Sequence, residues 1–169
     1  VKALRTMSLM GTLNYSLGHY EKAIDLLRDP QLRVADPTAA LPALRTLARC
    51  YAKLGHLEAA RSHYLQAASV SENYASDIDY DELATLYRDH ALAEEDVDKR
   101  RALQEEGLRC WDLAIAVPGI PPVRGTDMRR RLETFRIQVN QERFEAASGD
   151  AADTGAKDTT LGSDKALDG

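Results

Sequence analysis

Shifted by 37 residues, the chain matches itself. Leu17-Gly18-His19 falls on Leu54-Gly55-His56, Glu21 on Glu58 and Ala23 on Ala60. The same shift sets Met7 on Leu44, Met10 on Leu47, Gly11 on Ala48, Leu27 on Tyr64, and Ala3-Leu4 on Ala40-Leu41. Self-similarity at a fixed period marks a supersecondary unit that buries its apolar face by stacking on its neighbours. Small residues recur where two helices must cross closely, and large ones where each helix fills its neighbour's groove. Each glycine suits the left-handed position that closes a helix before a tight turn.

Helical spacing dominates the remainder. A first helix ends near Leu17, and a second runs from about Tyr20 to Arg28, stopped by Pro30. A third starts at Asp36-Pro37-Thr38 and ends at Gly55; a fourth carries Leu57, Ala60, Tyr64 and Ala67. Further helices are expected over 81–94, 97–117 and 126–146. Alternating runs of Val, Ile and Thr are missing, so strands have no support and the fold class is all-α.

The repeated pattern resembles the tetratricopeptide repeat, a helix–turn–helix unit of about 34 residues. The second copy matches best, through Leu44, Leu47, Ala48, Tyr51, Gly55, Leu57, Ala60, Tyr64 and Ala67. The first carries Met7, Met10, Gly11, Gly18, Tyr20, Ala23 and Leu27, with Asn14 where the family prefers an aromatic. Together they cover about 3–71. A looser third unit, about 81–117, has Leu83, Leu86, Tyr87 and His90 in its first helix and Gly107, Trp111 and Ala114 in its second. The resemblance implies a helical-hairpin solenoid. A helix with Met128, Leu132, Phe135 and Val139 on one face and arginines largely outside it would cap the stack.

The formal charge is −5, from 22 basic and 27 acidic residues. It is unevenly spread. Residues 147–169 hold five Asp, two Lys, four of the ten glycines and no aromatic. Such a segment cannot bury enough surface to offset roughly 1–2 kcal/mol of backbone entropy per residue, and it reads as a disordered acidic tail. The expected division is a repeat domain over 1–146 and a tail over 147–169. The chain starts at Val1 inside an apolar pattern, as the C-terminal part of a longer protein would. No stretch reaches the roughly 18–20 apolar residues of a membrane span. Cys50 and Cys110 are isolated and read as buried apolar groups in a reducing compartment, so the expected location is cytoplasmic.

Chemistry finds little support in the sequence. There is no glycine-rich phosphate loop and no nucleophile elbow. His19 and His56 occupy equivalent turns, and no metal-ligand cluster accompanies His63 or His90. Asp77, Asp79 and Asp81 mimic half of a calcium loop, but Glu82 stands at its glycine and Arg88 at its terminal glutamate. They read as residues of a turn that cap the next helix. Arg129-Arg130-Arg131 could meet phosphates, yet Glu133, Glu142 and Glu145 share the helix and no aromatics are interleaved for stacking. A solvated outer face is the preferred reading. The expectation is a protein that is not an enzyme, with no cofactor, no metal and no membrane or nucleic-acid partner.

Arg45, Arg49 and Lys53 share one face of the third helix at i, i+4 and i+8. In the tetratricopeptide family the first helix of each unit lines the concave groove. The resemblance therefore implies a groove holding Arg45, Arg49 and Lys53, with Arg5, Ser8, Thr12 and Tyr15 from the first unit and Arg88 from the third. A basic groove of this kind would hold an acidic or carboxylate-bearing protein segment by charge-assisted hydrogen bonds. The tail could compete for it, and self-association could fill it. The alternative is a ligand-sensing regulatory domain of a bacterial transcription regulator or signalling protein, with the DNA-binding or catalytic part upstream.

Overall fold

A computed structural model describes the backbone over 2–34, 37–71 and 76–155. Regular structure among these residues is entirely α-helical. The elements are α1 (Lys2–Ser16), α2 (Tyr20–Leu27), α3 (Pro30–Val34), α4 (Pro37–Lys53), α5 (Leu57–Val70), α6 (Ser76–Ala93), α7 (Val97–Ala116) and α8 (Pro122–Gly155). The chain divides into two units, Val1–Leu132 and Glu133–Gly169.

In the first unit α1 packs on α2, α4 on α5, and α6 on α7. Each pair is a helical hairpin. Successive pairs meet through α2, α3 and α1 on α4, and through α5 on α6. The first two hairpins close with the same turn. Gly18 and Gly55 have φ of +78° and +77°. The Gly18 and His19 N–H groups donate to the Tyr15 and Asn14 carbonyls at 2.9 and 2.8 Å, and those of Gly55 and His56 to Ala52 and Tyr51 at 3.1 and 2.9 Å. This double bond satisfies the last carbonyls of a helix around one left-handed residue, a conformation cheap for glycine alone. His19 and His56 then start α2 and α5 without a side-chain cap.

One apolar cluster joins Ala23, Ile24 and Leu27 of α2, Leu32 of α3, and Ala43, Leu47 and Cys50 of α4. Each fully buried leucine contributes roughly 1.5–3 kcal/mol. Gly11 sets the α1–α2 distance, since a Cβ there would lie 2.3 Å from Cγ of Leu27. In the third pair Leu83, Tyr87, Gly107, Trp111 and Ala114 are buried, as their spacing predicts. Burial pushes the Tyr87 hydroxyl up to about 12, and the thiols of Cys50 and Cys110, both free, up to about 11. The α8 stripe of Met128, Leu132, Phe135 and Val139 is buried at all four positions.

Four expectations need correction. The segment after α2 forms the short helix α3: Asp29 accepts the Gln31 N–H at 2.9 Å, Pro30 takes the first helical position, and Leu32 enters the core. Met10 is not a core residue but 48% exposed. α6 begins at Ser76, so Asp77 and Asp79 lie within its first turn rather than in a preceding cap; there they complement the positive helix end. α8 begins at Pro122 and runs on to Gly155, so 147–155 is helix rather than unstructured tail; the alanines among these residues favour helix. The rest of the expected tail, 156–169, lies outside the described residues.

Candidate functional site

Three of the four arginines expected to furnish a basic groove, Arg45, Arg49 and Arg88, are already engaged. Arg45 of α4 donates from Nε and Nη2 to the two oxygens of Asp79, at 2.7 and 2.8 Å, and Asp79 is 1% exposed. The Ser71 hydroxyl adds a third bond to Asp79, at 3.2 Å. Burial pushes the Asp79 carboxyl up, and Arg45 and Ser71 pull it partly back. One turn along, Arg49 forks onto Glu82, which also accepts the Tyr64 hydroxyl at 3.0 Å. The Glu82 hydrogen bonds hold the Arg49 guanidinium above its ordinary range, and burial pushes Tyr64 up.

Asp77 and Asp81 of α6 face α8. Asp77, 2% exposed, faces Nε of Arg124 at 3.0 Å. Asp81 accepts the Trp111 indole N–H at 2.8 Å and Nη2 of Arg131 at 2.8 Å. Arg131 also meets Asp127 at 3.0 Å. Asp77, Asp79, Asp81 and Glu82 are thus the acidic half of a ladder whose basic half comes from two other helices. Residue numbers ascend together from Arg45–Asp79 to Arg49–Glu82, so α4 and α6 run in the same direction.

The main cleft, of about 660 Å³, is lined by Tyr15 of α1, Arg49, Ala52 and Lys53 of α4, Tyr64 of α5, Asp81, Glu82, Thr85, Leu86, Asp89, His90 and Ala93 of α6, and Arg131 of α8. It draws on the first helix of all three hairpins. Its formal charges balance: Arg49, Lys53 and Arg131 stand against Asp81, Glu82 and Asp89. Pairing removes most of them, Arg49 with Glu82, Arg131 with Asp81, and Arg88 with Asp89 at 2.7 Å. Lys53 is exposed and has no ion-pair partner among the described residues.

The expected site residues therefore separate. Tyr15, Arg49 and Lys53 come together in the cleft. Arg45 supports its wall from behind through Asp79. Arg88 is spent on Asp89 and on the face of Trp111, 5.9 Å from the ring centroid. Arg5, Ser8 and Thr12 do not line the cleft, and the Thr12 hydroxyl donates to its own helix at the Ser8 carbonyl, 3.0 Å away. Arg131 does line it, although its sequence position placed it on a solvated face. What could have found it was the acidic run on α6, which needs arginines from neighbouring helices once it is buried.

No family model matches the chain, and no curated protein matches it significantly. It is similar in structure to BtubC (BKLC) from P. vanneervenii, known from a crystal structure. The likeness has a TM-score of 0.55 at 19% identity and covers 96% of this chain and 67% of that one. At that identity it is a likeness of fold, and the fold is all-α.

Proposed function

We propose that this chain is a tetratricopeptide-type scaffold that binds a segment of another protein in the cleft shared by α1, α4 and α6. The observation that carries the reading is the convergence of the first helices of three successive hairpins on one open cleft. The 37-residue self-match, its duplicated glycine turn and the parallel course of α4 and α6 support a stacked-hairpin arrangement.

The ladder changes which side chains recognise the partner. Arg45 and Arg49 set the register of α4 against α6, and Lys53 supplies the positive charge for the ligand. The partner segment carries an isolated acidic side chain beside small apolar ones, which Ala52, Leu86 and Ala93 accommodate. The cleft favours binding over catalysis. Asp81 and Glu82 each accept two donors, and Tyr64 is displaced away from neutrality, whereas a general acid or base works best with a pKa near the working pH.

Selection from a displayed library of random peptides tests this. The intact chain enriches sequences containing Asp or Glu, and Lys53→Glu with an unchanged melting temperature loses that enrichment. The same sequences recovered by both proteins would overturn the reading.

A further inference from the structure

Outside the cleft, α1 carries an apolar face that nothing in the first unit covers. Leu9, Met10, Leu13 and Leu17 are 70%, 48%, 58% and 61% exposed. Leu9 and Leu13 are four residues apart on one side of α1, and Leu17, just past its end, continues the line by donating its N–H to the Leu13 carbonyl at 3.0 Å. The internal match gives this face a meaning. Moved by 37 residues, the four positions become Thr46, Leu47, Cys50 and Leu54. The first three are 4%, 1% and 0% exposed. Leu47 and Cys50 share their buried cluster with Ala23, Ile24 and Leu27 of α2 and Leu32 of α3, and Leu54 packs against it. The same register is thus a buried helix interface on α4 and an open one on α1.

We propose that the α1 face seats a further amphipathic helix of the α2 type, carried by a partner. Such a helix bears a small residue followed by large aliphatic ones at i+1 and i+4, as Ala23, Ile24 and Leu27 do. The surface is continuous in kind with the established α2–α4 interface, where those residues already fit. Charge agrees with this choice. α1 contains Lys2 and Arg5 and no acidic residue, whereas α2 carries Glu21 and Asp25 against Lys22, all three exposed outside its buried face, for a net negative charge. A second copy is a poorer occupant. Its own α2 is already packed on α1 and α4 and cannot supply such a helix.

The test uses the whole chain and a fluorescent peptide of residues 19–34, held helical by a staple on its outer face. Saturable binding is expected, with slowed hydrogen exchange in α1, and Leu13→Asp weakens it at least roughly tenfold. Leu17→Asp serves as a second variant, and both positions are exposed enough to leave the melting temperature unchanged. A control peptide with serine at positions 24 and 27 does not bind. Three results would overturn the proposal: no saturable binding, binding indifferent to both variants, or a concentration-dependent dimer of the chain that Leu13→Asp dissolves.

Discussion

Arg45 and Asp79, 34 residues apart, meet through two parallel hydrogen bonds of 2.7 and 2.8 Å, with the carboxylate almost wholly removed from solvent. Together with Arg49–Glu82 this pair fixes the register between α4 and α6, because a slip of one turn would leave one of the two carboxylates without its arginine. Removing the arginine strands the carboxylate. Arg45→Met is expected to cost about 3–5 kcal/mol, and Arg45→Met with Asp79→Leu to recover most of it. Denaturant melts of the single and double variants check this; equal destabilisation by both would contradict it.

Gly11 gives a sharper test of helix packing. In an open helix Gly→Ala would stabilise by about 1 kcal/mol. Here the added Cβ would fall on Leu27, so Gly11→Ala is expected to destabilise by about 1–3 kcal/mol. Leu27→Ala should then reverse the sign, making Gly11→Ala neutral or favourable in that background. Thermal melts of the four proteins measure the coupling directly.

Acid sensitivity follows from two exposed carboxylates. The Lys99 N–H holds the Asp96 carboxyl below its usual range at the start of α7, and Arg130 does the same for Asp127. A carboxylate with a depressed pKa in the folded state contributes stability above its unfolded value. That contribution disappears as the pH falls through the folded value. The melting temperature should therefore fall on acidification below about pH 4. Asp96→Asn keeps the capping oxygen but cannot titrate there. Its difference from the intact chain should shrink toward low pH, and a constant difference would contradict this assignment.

Much of the first two hairpins was legible because their turns and crossings are local. Leu17-Gly18-His19 and Leu54-Gly55-His56 announce the same double-bonded turn, and Gly11 opposite Leu27 announces a close crossing. The α8 stripe of Met128, Leu132, Phe135 and Val139 was equally plain. The ladder was not, for a physical reason. Arg45 and Arg49 read as groove cations open to a ligand until α6 is laid parallel to α4, and that register depends on tertiary packing. The start of α6 was misplaced for the same cause: Asp77 and Asp79 look like turn residues until Arg124 and Arg45 supply the charge that lets them be buried. α3 did leave a signal, Asp29 followed by Pro30, which marks a helix start as much as a stop.

On the proposed function, the cleft binds an acidic segment through Lys53 while the arginines serve the fold. Calorimetric titration of one acidic peptide from the display selection, into the intact chain, Lys53→Arg and Lys53→Glu, tests it most directly. Lys53→Arg is expected to keep the affinity within a few fold, and Lys53→Glu to lower it at least roughly tenfold, about 1.4 kcal/mol, with melting temperatures unchanged. Equal affinity across all three proteins would contradict it.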